Sequence, residues 1–284
     1  MYEHKLIATN GITLHTVVAG PEDGPLVLLL HGFPEFWYGW RRQIPALAAA
    51  GFRVLAPDQR GYNLSDKPRD LAAYRLDELA ADALGLIDAA GRQRAFVVGH
   101  DWGAMVAWWL ALVAPQRLER LAILNVPHPH VARRHLTGDP EQQKRSLYAA
   151  FFQLPWLPEA VLSAADWRAT EQALRDSSLP GAFSDDDMAE YRRAWGRPGA
   201  MTTMLNWYRA QLQRPMDDWP APRVTVPTTI IWGMKDFALR DVMAAESAAE
   251  CDEAELIALP DNTHWVQHEA PDLVNETLIT RFKE

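Results

Sequence analysis

Apolar residues fall along this chain in two rhythms. The run HKLIATNGITLHTVVAG (4–20) alternates around Asn10-Gly11, which predicts a β-hairpin closed by a two-residue turn. PLVLLL (25–30), FRVLAP (52–57), RAFVVG (94–99), RLAILNV (120–126), TTIIWG (228–233) and AELIALP (254–260) are short apolar runs. Such runs suit strands of a parallel sheet buried on both faces. Between them, YGWRRQIPALAAAG (38–51) and YRLDELAADALGLIDAAG (74–91) have helical apolar spacing and end in glycine. A further helix is expected after Gly99, and PDLVNETLITRF (271–282) reads as a closing one.

From Pro127 to Pro220 the strand pattern stops. FFQLPWLPEAVLSAADW (151–167) and MLNWYRAQLQRPMDDW (204–219) read as short helices rich in tryptophan and proline. That much Trp, Leu and Phe argues against a disordered linker. The expected architecture is an α/β fold with a mostly parallel central sheet and helices on both faces. Its core comprises residues 1–127 and 221–284, with a helical lid inserted at 128–220.

Composition narrows the function classes. A net charge of −9 without a basic run argues against a nucleic-acid partner. Cys251 is the only cysteine, so neither a disulfide framework nor a cysteine-rich metal site is available. The first residues, MYEHKLIATNGITLH, lack a basic stretch followed by a long apolar one, so no signal peptide is expected. No segment offers about 18 uninterrupted apolar residues, so no membrane span is expected. The expected location is the cytoplasm.

Chemistry concentrates at the ends of the apolar runs. VVGHDWGAMVAWW (97–109) passes from strand to helix through Gly99-His100-Asp101-Trp102-Gly103. This is the frame of a nucleophile elbow, in which a tight turn exposes one side chain at the carboxyl edge of a sheet. Taken alone, Asp101 could equally be the N-cap of the following helix. IIWGMKDF places Asp236 beyond a late strand and LPDNTHW places His264 beyond the last one. Nucleophile, acid, histidine is the order a triad takes on such a sheet. After PLVLLL comes His31-Gly32-Phe33-Pro34, a loop positioned to lend the Phe33 N–H to an oxyanion hole completed by the N–H of Trp102. His31 and His100 read as structural hydrogen-bonding residues. His268 could pair with His264 on a metal, but with no third ligand in sight it reads as the start of a surface helix.

HGFPEFWYGWRRQIPALAAAGFRVLAPDQRGY, GHDWGA, LNWYR, KDF and HWVQHEAP together resemble the soluble-type epoxide hydrolases of the α/β-hydrolase superfamily. The resemblance covers nearly the whole chain, with Asn63 standing where the family usually has glycine after RGY. It implies an aspartate nucleophile, Asp101, with Asp236 and His264, assisted by two lid tyrosines. These would be Tyr208 in LNWYR and Tyr148 in SLYAAFFQ, with Tyr191 the next lid tyrosine should Tyr148 fail. It also implies a small hydrophobic epoxide and water as substrates, and no cofactor or metal. Phe152, Leu154, Trp156, Met204 and Trp207 would line an apolar pocket. Glu35 would either position the hydrolytic water or form a structural ion pair.

The choice of aspartate has a chemical rationale. A carboxylate is already ionised near neutral pH and can displace a leaving group at saturated carbon. A haloalkane dehalogenase would share the nucleophile. It would use N–H donors for halide, typically the Trp after the nucleophile with an Asn in the HG-x-P loop or a lid Trp, whereas this chain has Phe33 in that loop and lid tyrosines. Haloacetate dehalogenases favour arginine where this chain has Trp102. A non-catalytic ligand-binding protein of the same fold would usually have lost a catalytic residue, and none is missing here.

Overall fold

The computed structural model describes residues 2–211 and 219–284. An eight-stranded sheet runs in the order β1-β2-β4-β3-β5-β6-β7-β8. Its strands are β1 (Tyr2–Thr9), β2 (Ile12–Ala19), β3 (Leu26–Leu30), β4 (Arg53–Pro57), β5 (Ala95–His100), β6 (Leu118–Leu124), β7 (Thr228–Gly233) and β8 (Ala254–Leu259). β1 pairs antiparallel with β2 and β2 with β4, and from β4 onward every pairing is parallel. The hairpin forms where Asn10-Gly11 predicts it, because these two residues accept φ values of 44° and 73°.

Continuous apolar runs become central strands because both of their faces are covered. Val27, Leu28, Leu29, Val97, Val98, Leu121 and Ile230 are essentially inaccessible. Each such side chain contributes on the order of 1.5–3 kcal/mol relative to exposure. Helices α1 (Gln43–Ala49), α2 (Leu76–Ala89) and α3 (Trp102–Val113) follow strands β3, β4 and β5. α2 packs against α3, while α1 packs against the C-terminal helix, whose Phe282 ring stacks on Phe96 of β5.

All described elements between β6 and β7 are helical: α4 (Pro129–Gly138), α5 (Pro140–Arg145), α6 (Leu147–Phe151), α7 (Leu157–Asp176), α8 (Asp185–Trp195) and α9 (Ala200–Gln211). Residues 212–218, near the end of the expected lid, lie outside the described residues. α7 is broken by left-handed residues Ala165, Asp166 and Trp167 rather than continuous. The tryptophans that mark this region tie it to the loops that follow β3 and β4. The Trp195 indole donates to the Pro34 carbonyl at 2.6 Å, and that of Trp207 donates to the Arg60 carbonyl at 2.9 Å. After β7 come α10 (Val242–Ala249), the short α11 (Val266–Glu269) and α12 (Pro271–Lys283). Among the described residues no helix is long and apolar enough to cross a membrane.

Candidate active site

The turn from β5 to α3 is built by close packing. A Cβ on Gly99 would lie 2.5 Å from the Gly103 carbonyl oxygen, and one on Gly103 would lie 2.0 Å from that of Leu30. Only glycine permits that approach of strand, helix and neighbouring strand. The turn forces Asp101 to φ 50° and ψ −126°, a conformation costing on the order of 1–3 kcal/mol. Asp101 sits at the N-cap position of α3, but its side chain makes no capping bond there, so capping does not account for the carboxylate.

The carboxylate is held otherwise. Oδ1 accepts a hydrogen bond from the Phe33 N–H at 2.6 Å, and Oδ2 lies 3.6 Å from Nε2 of His264. The other ring nitrogen of His264, Nδ1, lies 2.7 Å from Oδ2 of Asp236. Asp236 is fixed in turn by the N–H groups of Ala238 (2.8 Å) and Leu239 (3.0 Å) on Oδ1 and by the Asn125 amide (3.0 Å) on Oδ2. The three residues singled out at strand ends therefore converge. Trp102, whose N–H was paired with that of Phe33 in the expected oxyanion hole, follows Asp101 directly as the first residue of α3.

Charge couples these groups. Burial alone would raise the Asp101 pKa, but His264, His100 and the Phe33 N–H hold it below the usual carboxylate range. For His264, burial acts downward, but Asp236 and Asp101 outweigh it and push the imidazole up to about 10. The resting arrangement is an imidazolium between two carboxylates.

Above them stands a set of rings. Tyr208 of α9 meets Trp102 at 4.9 Å, Phe152 at 5.0 Å, Phe33 at 5.5 Å and Tyr148 of α6 at 6.1 Å between centroids, all edge-to-face. Desolvation and the nearby Asp101 charge push both tyrosine pKa values up, so both phenols keep their protons. Among the expected pocket residues, Phe152 belongs to this set. Trp207 lies against Trp102 at 6.1 Å, and Met204 is buried on the same helix, α9. Leu154 and Trp156 depart from expectation: they are 44% and 73% exposed, beside the start of α7, and do not close over Asp101. The Trp156 backbone is left-handed at φ 52°.

Two further assignments change. His268 is no surface residue; it is buried, with Nε2 donating to Glu35 at 2.6 Å and Nδ1 facing the Arg41 guanidinium at 2.9 Å. Glu35 accepts from Tyr191 (2.6 Å), His268 and Gln267 (2.9 Å), with His100 3.3 Å away. Protein donors surround that carboxylate, which favours a structural role over water positioning. The contact with His268 is a hydrogen bond rather than an ion pair, because burial lowers the His268 pKa and its Nδ1 accepts from Arg41. The same bond commits Tyr191 to Glu35 and away from Asp101. Asn125, which sequence reasoning missed, donates to Asp236 and to the Gly233 carbonyl. Its only signal is a polar residue closing the apolar run LAILN (121–125). Among the described residues no cluster of three or more His, Cys, Asp or Glu is arranged to hold a metal.

Comparison with known proteins places these features in context. A sequence model of the alpha/beta hydrolase fold matches residues 25–271. A protein of the AB hydrolase superfamily from Bacillus subtilis is 47% identical over 98% of this chain and 97% of its own. Human epoxide hydrolase 4 is 35% identical over 98% of this chain and 78% of its own. The crystal structure of an epoxide hydrolase from Bacillus megaterium in complex with an inhibitor superimposes with a TM-score of 0.90 at 30% identity. It covers 99% of this chain and 100% of that one.

Proposed function

The chain belongs to the α/β-hydrolase fold family, in its epoxide hydrolase group, and from that premise we propose that it hydrates hydrophobic epoxides to vicinal diols through an ester on Asp101. The observation that carries this reading is the division of labour within one carboxylate. Oδ1 rests on the Phe33 N–H while Oδ2 faces His264, beneath the phenol-bearing rings of Tyr148 and Tyr208.

In the first step Oδ2 of Asp101 attacks an epoxide carbon, a C–O bond forms, and the ring C–O bond breaks. The departing oxygen would be a strongly basic alkoxide, and one of the two phenols hands it a proton while the other hydrogen-bonds it. Esterification removes the Asp101 charge that helped raise the His264 pKa. The imidazole can then give up its proton, which replaces the one the phenol surrendered in ring opening and returns that phenolate to phenol. Oriented by Asp236, it then accepts a proton from water. Hydroxide adds to the Asp101 carbonyl, the Phe33 and Trp102 N–H groups hold the resulting oxyanion, and its collapse releases the diol and restores the carboxylate.

Residues 128–220 act in this scheme as a lid that carries both tyrosines, over a core of 1–127 and 221–284. The lone buried Cys251 fits a reducing compartment, the cytoplasm. The deciding experiment offers a panel of epoxides beside a panel of haloalkanes. Diol formation from epoxides is expected; halide release without any diol formation would overturn the assignment in favour of a dehalogenase.

A further inference from the structure

The loop that carries Asp236 is gripped from outside the sheet. It runs from Asp236 to Arg240 after β7, and its core-side anchor is Asn125. On its other side lies α5, three of whose bonds reach this loop. Gln142, 1% exposed, donates from Nε2 to the Ala238 carbonyl at 2.8 Å and accepts from the Arg240 N–H on Oε1 at 3.0 Å. Arg145 donates to the carbonyl oxygen of Asp236 itself at 3.0 Å. The Arg240 guanidinium closes the contact by pairing with the carboxylate of Asp139, the residue that caps α5.

Gln142 thus satisfies a donor and an acceptor two residues apart on one loop, with a single side-chain amide. The Ala238 N–H, within that span, is also one of the two that hold Oδ1 of Asp236. A side chain that touches neither substrate nor reacting atoms therefore sets where Asp236 lies, and Asp236 sets where His264 points. We propose that Gln142 is a positioning residue for the hydrolytic half of the reaction, clamping the Asp236–Arg240 loop so that His264 stays aimed at the Asp101 ester.

The proposal rests on the two-step reading above and makes an asymmetric demand. Carbon–oxygen bond formation at Asp101 relies on the elbow and the phenols, and the three bonds to the Asp236 loop reach neither. The one link from Gln142 toward a phenol is its bond to Ser146 Oγ at 2.9 Å, at the start of α6, which Arg145 does not share. Ester breakdown relies on the Asp236–His264 pair, which the clamp does touch. A general loss of order would slow both steps together.

The test is single-turnover kinetics of Gln142→Met, which keeps the side-chain volume and removes both hydrogen bonds to the loop together with the one to Ser146. Ester formation should stay within about twofold of the parent, while ester breakdown should slow roughly tenfold, as small misplacements of catalytic groups do. Arg145→Met, altering a partly exposed side chain, should shift the same ratio in the same direction, and it decides the matter if Gln142→Met does not fold. Equal slowing of both steps, or no change in their ratio, overturns the positioning role. A parent enzyme that turns over epoxides without any ester on Asp101 overturns the two-step reading and this proposal with it.

Discussion

The Phe33 amide donates to Oδ1 of Asp101 at 2.6 Å, so the two oxygens of this carboxylate are distinguished before any substrate arrives. On the proposed mechanism, Oδ1 already occupies the place of an oxyanion and Oδ2 is the one that attacks. Asp101→Asn should therefore lose turnover by several orders of magnitude while remaining folded, because an amide of the same shape is a poor nucleophile. Initial rates on freshly prepared protein check this, since slow hydrolysis of the amide back to aspartate would restore activity later. Full early activity would point to another nucleophile.

His264→Gln should uncouple the half-reactions. On the proposed mechanism, alkylation needs only Asp101 and the phenols, whereas hydrolysis needs the imidazole 3.6 Å from Oδ2. Intact mass should rise by one substrate, and peptide mapping should place the adduct on Asp101. A variant that stays unmodified after long incubation with a good substrate argues against a covalent route.

Each tyrosine should matter to ring opening rather than to binding. Loss of one donor to a developing oxyanion costs roughly 10²-fold, and that is the drop in alkylation rate expected for Tyr148→Phe and for Tyr208→Phe. The double variant should be nearly inactive on epoxides while retaining slow alkylation by a reactive haloalkane, whose leaving group needs no proton. If Tyr148→Phe opens epoxides at the parent rate, the second phenol is misassigned. Tyr191 would not replace it, since its hydroxyl is bound to Glu35.

The imidazolium at the centre of the site gives stability a pH dependence of definite sign. Burial tends to lower the His264 pKa, but Asp236 and Asp101 raise it to about 10, above its value of 6.5 in an unfolded chain. A group raised on folding stabilises the fold fully below its unfolded pKa and loses that contribution as pH climbs through its folded one. The melting temperature should fall between about pH 7 and 10, and His264→Gln should flatten that slope. NMR titration of the imidazole in Asp101→Asn, where one neighbouring charge is gone, should show a lower pKa. An unchanged titration would remove the basis for the proton release invoked after esterification.

What could be foreseen from the sequence divides along physical lines. Asn10-Gly11 announced its hairpin because turn geometry is a property of two adjacent residues. Strands β3 and β5 were legible because burial on both faces leaves a continuous apolar run. Asp101, Asp236 and His264 could be located because each follows a strand, and parallel strands deliver their ends to one edge. The network of Glu35, His268, Gln267 and Tyr191 left no such trace. It joins residues up to 233 apart, and nothing local to HWVQHEAP tells a buried histidine from one on the surface. Leu154 and Trp156 misled for the opposite reason: apolar character was read as pocket lining, although both side chains are exposed.

The helical segment leaves the sheet after Leu124 and returns at Thr228, and β6 and β7 are hydrogen-bonded neighbours. The two strands run parallel, with Leu124 opposite Ile231 and Thr228 opposite Leu121, so the segment departs at the carboxyl edge and re-enters at the amino edge as one long crossover. The entropic cost of such a loop grows only with the logarithm of its length, so residues can be gained or lost within it at little expense to the sheet. One framework could thus be fitted with different ceilings, each presenting its own rings to the substrate. The freedom has a boundary, though, because α5 also steadies the Asp236 loop. Grafting a foreign segment here would change selectivity freely through α6 to α9, but an exchange that includes α5 would have to restore its grip on that loop.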